Sequence, residues 1–267
     1  MKRRFVSILV VTFNAEKYIE KTIKSCLDQT YQNLEVLVLD NASSDRTVEI
    51  IRRLSDSRIT MFEGKENIGP YAGLNFLLEK AEGEYIAIQD HDDVWFPEKI
   101  GKQVDFLNKN PNYIGCGTKT FYFYENKKVL ILNKRPFETN FVDHTSLMFR
   151  NKGLGYDENF LLADEYFEKK ILKNVGKLAC IQEPLNVHRI RRDGTNLSSN
   201  RFNFSLKNTK EFFSINGISL QSIFYLFDLV FGKFFPNKII WLIRKYITQN
   251  KADWMSVEEF SNLYFPI

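Results

Sequence analysis

Apolar residues run almost unbroken from Phe5 to Val11, and after Asn14 they recur at helical spacing as Ile19, Ile23, Cys26 and Leu27. The pattern predicts a strand, a loop and a helix. Leu34 to Leu39 is a second apolar run, of the kind buried on both faces of a parallel sheet, and it stops at Asp40. Asn41 to Asp45 is a turn rich in helix-capping residues, followed by Val48, Ile50, Ile51 and Leu54 on one helix face. Arg58 to Phe62 reads as a short strand, Gly64 to Pro70 as a loop and Ala72 to Ala81 as a helix. Glu84 to Ile88 is a fourth strand, running into Gln89-Asp90-His91-Asp92-Asp93.

Strands that alternate with helices predict an α/β fold with a mostly parallel central sheet, because right-handed crossovers bring all strand C-termini to one edge. Ligands of open α/β sheets bind at that edge. The residues there are Thr12-Phe13-Asn14, Asp40-Asn41 and the acidic cluster of Asp90 to Asp93, so the polar chemistry converges. Beyond Trp95 the pattern weakens. Glu98 to Leu107 reads as a helix, Tyr113 to Leu132 as strands with a hairpin around Asn126, Leu161 to Leu172 as a helix, and Leu178 to Val187 as a last strand. Arg189 to Asn200 reads as a charged loop. The expected division is a domain over residues 1–200 and a helical, aromatic and basic extension over 201–267.

Composition narrows the class. At 267 residues, 44% hydrophobic and 26% charged, the chain is long enough to bury a core without disulfides. The net charge of +4 is too weak to imply nucleic acid. Cys26, Cys116 and Cys180 have no C-x-x-C spacing, so neither a disulfide framework nor a thiolate zinc site is indicated, and a reducing cytosol fits. Ile223 to Phe235, the most apolar stretch, is short and carries Asp228 and Lys233, which argues against a membrane span. The segment after Asn200 interleaves aromatic rings with Arg201, Lys207, Lys210, Lys233, Lys238, Arg244 and Lys245. Two readings stand for it: packing on the first domain or on a homodimer partner, or resting in a membrane interface.

Three aspartates within four residues at the end of a buried strand repel one another unless a cation offsets them. Oxygen-only ligands favour Mg2+ or Mn2+, which commonly complete their shell with substrate phosphates. Neither G-x-G-x-x-G nor G-x-x-x-x-G-K-[ST] occurs, so no glycine-rich cradle supplies a phosphate site. A metal-bridged nucleoside diphosphate explains the acids in its place. The bland alternative is a solvated acidic turn.

The stretches Val6 to Asn14, Asp40 to Asp45, and Glu82-Gly83-Glu84-Tyr85 through Asp90-His91-Asp92-Asp93-Val94-Trp95 together resemble glycosyltransferase family 2, over about the first hundred residues. That resemblance implies a GT-A fold and inverting transfer of a sugar from a nucleotide-sugar donor to a saccharide or lipid-linked acceptor. By the same resemblance Thr12, Phe13 and Asn14 border the nucleotide and Asp40 and Asn41 lie by its base, Asn41 standing where the family often has a second aspartate. Asn67 and Asn75 resemble the family's loop near ribose or diphosphate; their plain reading is loop punctuation and a helix-face amide. Asp92 is implied near ribose and metal, Asp93 as the direct metal ligand, Asp90 as their support and His91 as a spacer.

Inverting transfer needs a carboxylate to take the acceptor's proton. Ala163-Asp164-Glu165-Tyr166 resembles the family's Glu-Asp pair with the acids swapped, making Asp164 and Glu165 both candidates, with Asp164 favoured; a helix N-terminus that accepts negative charge is the competing explanation. His144 to Arg150 resembles the acceptor-side segment. Val187 to Ser198 resembles a loop that commonly carries Arg-x-His, with Arg191 in the histidine's place. An arginine cannot ligate metal, so Arg191 or Arg192 is expected to grip the diphosphate, and His188 to shift into use as a ligand. UDP is the expected nucleotide, in cell-surface polysaccharide or lipopolysaccharide synthesis at the cytoplasmic face of the membrane. Two other functions fit the acidic edge: a nucleotidyltransferase of sugar phosphates, and a nucleotide-sugar-binding protein without turnover.

Overall fold

The computed structural model describes residues 5–125, 128–133, 135–139, 141–160, 162–191, 206–216, 218 and 254–256. Its first half follows the alternation read from the sequence. β1 (Val6–Thr12), α1 (Ile19–Leu27), β2 (Leu34–Asp40), α2 (Thr47–Arg53), β3 (Ile59–Glu63), α3 (Pro70–Lys80) and β4 (Tyr85–Asp90) succeed one another in chain order. β1 pairs parallel with β2 and β4, and β2 with β3.

The alternation of side chains along β1 explains why both faces are covered. Ile8 and Val10 join Ile19, Ile23 and Cys26 of α1 in one core cluster, which Ile100, Val104 and Leu107 extend. Leu9 points the other way, into a cluster with Leu74, Leu77, Ile86, Ile88 and Phe149. Each such fully buried aliphatic side chain contributes about 1.5–3 kcal/mol, so neither layer is dispensable.

The second half completes the sheet. β5 (Val94–Trp95) and α4 (Lys99–Lys109) lead to β6 (Tyr113–Tyr124), β7 (Val129–Asn133) and β8 (Glu138–Thr139). A 3-10 turn over His144–Ser146 precedes β9 (Met148–Arg150); α5 (Ala163–Tyr166), a π-helical turn (Phe167–Leu172) and α6 (Lys173–Val175) then lead into β10 (Lys177–Ile190). With β11 (Trp254–Ser256) at one end, the strand order is β11-β7-β6-β9-β4-β1-β2-β3, with β10 beside β5, β6 and β8. This mixed α/β sheet, parallel at its centre and flanked by helices, agrees with the expected fold class.

Gly117 of β6 faces the segment carrying Val142 and Ser146 so closely that a Cβ there would lie 2.5 Å from the Val142 Cβ and 2.6 Å from Ser146 Oγ. A side chain at 117 would push the 3-10 turn away from the sheet.

Several boundaries differ from the pattern. The helix expected over Leu161 to Leu172 starts at Ala163 and widens into π geometry at Phe167. β10 continues past Val187 to Ile190, because its pairing with β6 runs on to Ile190–Tyr124, so His188 and Arg189 are strand residues rather than loop residues. β6 and β7 form the expected hairpin. Of the extension, α7 (Leu206–Asn216) buries Phe212 and Ile215, while its Glu211 accepts a bond from Leu162 N and its Asn216 one from Lys169. The helix thus packs against the segment of α5 and the π-helical turn. β11 (Trp254–Ser256) was not expected: it pairs antiparallel with β7, where the sequence pattern gave only helix. The basic residues beyond α7, and the rest of the extension, lie outside the described residues, and none of the described helices is long and apolar enough to cross a membrane.

Candidate functional site

Parallel register brings Thr12 beside Asp40 and Val11 beside Asp90, so the ends of β1, β2 and β4 share one edge. The loops beyond them are sewn together. Asn14, at a positive φ of 48°, donates its N–H to Ser43 Oγ at 2.9 Å and accepts from Ser44 N with Oδ1 at 2.9 Å. Phe13 is left 41% exposed. Asp40 Oδ2 accepts from Ser43 N at 3.0 Å. Its Oδ1 and the neighbouring Thr12 Oγ1 are buried without a hydrogen-bond partner, a costly state for two adjacent polar atoms unless a ligand completes them.

Asn41 is engaged differently. Its Nδ2 donates to Asn67 Oδ1 at 2.9 Å and to the Gly69 carbonyl at 3.1 Å, and its Oδ1 accepts from Ile68 N at 3.0 Å. The amide therefore secures the 67–69 loop, with Asn67 as its partner. Asn75 sits apart from this loop. It grips Tyr156 and Glu158, with Nδ2 donating to the Tyr156 carbonyl and to Glu158 Oε1, and Oδ1 accepting from Tyr156 N.

The acidic cluster is completed from the far end of the chain. Antiparallel pairing of β5 with β10, Trp95 opposite Asn186 and Val94 opposite Val187, carries the next residues of β10 to Asp93. Asp93 is fully buried; Oδ2 lies 2.8 Å from His188 Nδ1, and Oδ1 accepts from Arg189 N at 2.7 Å. Burial opposes a charge on His188, but Asp93 outweighs it and pushes the imidazole pKa up to about 10. Burial, reinforced by the charge of Asp93, pushes Asp90 up to about 8. The main-chain carbonyls of His91 and Asp93 accept from Thr22 Oγ1 of α1 at 3.0 and 2.9 Å, which fixes the loop.

Asp92 points elsewhere. Its Oδ2 pairs with Arg191 Nε at 2.6 Å, and Arg191 Nη2 also meets His91 Nε2. His91 Nδ1 lies 3.3 Å from the Val11 carbonyl, so the tautomer with its proton on Nδ1 satisfies both contacts. Burial opposes ionisation of Asp92, yet nearby His91 and Arg191 hold the carboxyl below its usual range. His91 is thus more than a spacer. Arg189 binds the Asp92 carbonyl and Glu125. Arg192 lies outside the described residues.

The two helix-start acids face different surroundings. Asp164 Oδ1 accepts from Tyr71 OH at 3.1 Å, and its charge is felt by Asp90 and His144. Glu165 is buried and paired at 2.7 Å with Lys169, which also bonds Asn216 of α7. His144 Nε2 lies 2.8 Å from Tyr156 OH, and Tyr156 stacks on Tyr71. Further in, Glu168 of the π turn accepts from Val142 N with Oε2. Its Oε1 is unpartnered, and burial raises its pKa well above the carboxylate range.

Ligand atoms of Asp90, Asp93 and His188 all lie within 4.8 Å of one another. Two carboxylates and an imidazole are a fitting donor set for a divalent cation. Tyr71, Arg189 and Thr22 had no motif to reveal them; only folding places them at the edge.

Residues 7–169 match the model of glycosyl transferase family 2. The chain is 36% identical over 134 residues to an uncharacterized glycosyltransferase of Haemophilus influenzae, an alignment covering 49% of this chain and 54% of that protein. It is also 36% identical over 121 residues to the UDP-Glc:alpha-D-GlcNAc-diphosphoundecaprenol beta-1,3-glucosyltransferase WfaP of Escherichia coli, covering 45% of each. The chain thus spans about half the length of these curated relatives. Among solved structures, S. aureus TarS 1-349 in complex with UDP-GlcNAc is similar at a TM-score of 0.66 and 18% identity, covering 85% of this chain and 73% of that one. The mannosyltransferase PcManGT of Pyrobaculum calidifontis, in complex with GDP-Man and Mn2+, gives 0.63 and 20%, covering 86% and 69%. At such identities the likeness speaks for the fold, the GT-A arrangement.

Proposed function

Because the chain belongs to glycosyl transferase family 2, we propose that it is an inverting transferase that moves a sugar from a UDP-sugar to a hydroxyl of a saccharide or lipid-linked saccharide. The observation that carries this reading is the meeting of Asp90, Asp93 and His188 at the sheet edge.

The base would be read at Asp40 and Thr12. One carboxylate oxygen and one hydroxyl without partners suit a ring N–H beside a carbonyl, as uracil presents. Guanine would call for a second acceptor for its amino group, and the Asn41 amide that could provide one is held by the 67–69 loop. Asp90, Asp93 and His188 would hold Mn2+ or Mg2+, which when bound neutralises charge on the diphosphate. Arg191, now paired with Asp92, is the chain's own cation for the same leaving group, with Arg192 as its neighbour.

Asp164 takes the proton. As the acceptor oxygen forms its bond to the anomeric carbon, the bond from that carbon to the diphosphate oxygen breaks on the opposite face and its electron pair leaves with the diphosphate. Tyr71 fixes the Asp164 rotamer by donating to Oδ1, while Glu165 is turned to Lys169 and serves the helix. The E. coli relative, named as acting on a diphosphoundecaprenol-linked sugar, favours a lipid-linked acceptor and a place in cell-surface polysaccharide synthesis at the cytoplasmic face of the membrane.

The test is release of nucleoside diphosphate from a panel of nucleotide-sugars in the presence of Mn2+. Release from a UDP-sugar that Asp164→Asn loses while still binding UDP supports the reading. No release from any donor, or full release by Asp164→Asn, overturns it.

A further inference from the structure

At the cation site, Asp93 Oδ2 holds one nitrogen of the His188 imidazole, Nδ1, at 2.8 Å. A single hydrogen bond sets the direction of that nitrogen, yet the ring can still tilt about the bond and swing its other nitrogen aside. An imidazole gives its lone pair to a metal only near the plane of its ring, so a ligating histidine needs a second constraint.

Tyr122 supplies it. The parallel register of β10 with β6 sets His188 beside Tyr122, so the two side chains leave the sheet on the same face. Their rings meet nearly at right angles, with centroids 5.4 Å apart and planes at 83°.

The tyrosine is itself held. Its hydroxyl donates to Asp143 Oδ1 at 2.5 Å and accepts from Asn133 Nδ2 at 3.3 Å. Asp143 is buried and also accepts from Asn133 Nδ2 at 3.2 Å and from Arg135 Nη2 at 2.8 Å. The Arg135 guanidinium lies over the Phe141 ring at 4.8 Å, while its Nε is buried without a partner. A buried ion pair with an orphaned donor is often no more stable than apolar side chains of the same volume, so the cluster calls for a reason other than stability.

The same framework holds the other partner of the imidazole. Asp143 opens the 3-10 turn, its carbonyl accepting from Ser146 N at 2.7 Å. From that turn Thr145 Oγ1 donates to Gln89 Oε1 at 2.8 Å, and Gln89 Nε2 donates to the Asp93 carbonyl at 3.0 Å. The contacts close a ring that runs from Asp93 through His188, Tyr122, Asp143, Thr145 and Gln89 back to Asp93. We propose that Tyr122, anchored by Asp143, Asn133 and Arg135, is a positioning residue that sets the plane of the His188 ring for a divalent cation; the assignment rests on the cation site read above.

Titration of the full chain with Mn2+, followed by electron paramagnetic resonance, tests it. The native chain is expected to bind Mn2+ and to show imidazole nitrogen modulation in pulsed spectra. Tyr122→Leu should weaken Mn2+ binding about tenfold or more, the usual cost of removing a group that orients a metal-bound histidine, and should diminish the modulation. Tyr122→Phe keeps the ring but frees it from Asp143, and should lose about threefold. A double-mutant cycle decides. In a His188→Ala chain, Tyr122→Leu should cost nothing further, because the tyrosine acts only through that ring. Melting temperatures identify a variant that has lost its fold; should Tyr122→Leu do so, the cycle is read with Tyr122→Phe. Native Mn2+ affinity in the folded Tyr122 variants, Mn2+ bound without imidazole modulation, or equal losses with and without His188 overturns the assignment. Release of nucleoside diphosphate by the native chain, measured in parallel, reports on the transferase reading: with release and Mn2+ binding intact and the losses equal, only the positioning role fails.

Discussion

Asp93 and His188 stand 95 residues apart in sequence and 2.8 Å apart in space, carboxylate oxygen to imidazole nitrogen, with the aspartate wholly buried. Replacing Asp93 by asparagine keeps the shape and removes the charge that sustains the imidazolium. Asp93→Asn should lower Mn2+-dependent donor turnover by about 100-fold or more, the scale of losing a preorganised charge. It should also lower the His188 pKa from its raised value, which NMR titration of the ring protons reads.

The two acids at the start of α5 should separate cleanly. Asp164→Asn is expected to reduce transfer by about 10^2–10^4-fold with UDP affinity and melting temperature unchanged, the range for loss of a general base. Glu165→Gln leaves Lys169 facing a neutral partner and should cost mainly stability, about 3 kcal/mol for a buried pair broken on one side. Single-turnover kinetics beside thermal denaturation distinguishes the two.

Arg191 joins Asp92 and His91 through one guanidinium. Arg191→Ala should raise the KM for donor about tenfold, and Arg191→Lys should recover only part of it, because an ammonium cannot reproduce both contacts. Steady-state kinetics over a donor series is the measurement.

Lys99 is fully buried, with Nζ 3.7 Å from the centre of the Trp95 ring and bonded to Gln103 at 2.8 Å. Burial lowers its pKa to about 7, against the opposing pull of Cys116 and Cys26. An unfolded lysine titrates near ~10.4, so between those values the unfolded chain holds a proton the folded chain lacks, and stability rises with pH. From pH 7 to 9 the native chain should gain on the order of 2 kcal/mol from this group, and Lys99→Met should flatten the slope. Urea denaturation at several pH values checks it.

Much of the first hundred residues could be read directly. Val6 to Val11 and Leu34 to Leu39 are uninterrupted because both faces of those strands are covered, and their ends in Thr12, Asp40 and Asp90 follow from parallel pairing. The second half was harder for a physical reason. β10 is partnered on different sides by β5, β6 and β8, so its end is set by pairing across long stretches of chain rather than by its own alternation. Nothing local marks His188 and Arg189 as strand residues. Likewise Asn41 suits a base edge by its chemistry alone; that its amide faces the 67–69 loop depends on where that loop returns. Asp164 and Glu165 are adjacent, and only Tyr71 on one side and Lys169 on the other tell them apart.

The dependence of Asp93 on the last residues of β10 sets an order of assembly. A nascent chain that has emerged only as far as Gly176 already carries all three aspartates of the cluster but neither His188, Arg189 nor Arg191. Until those arrive, Asp92 and Asp93 lack the side chains and the main-chain N–H that pair with them. A truncation before that strand would leave the aspartates in place without the groups that orient them.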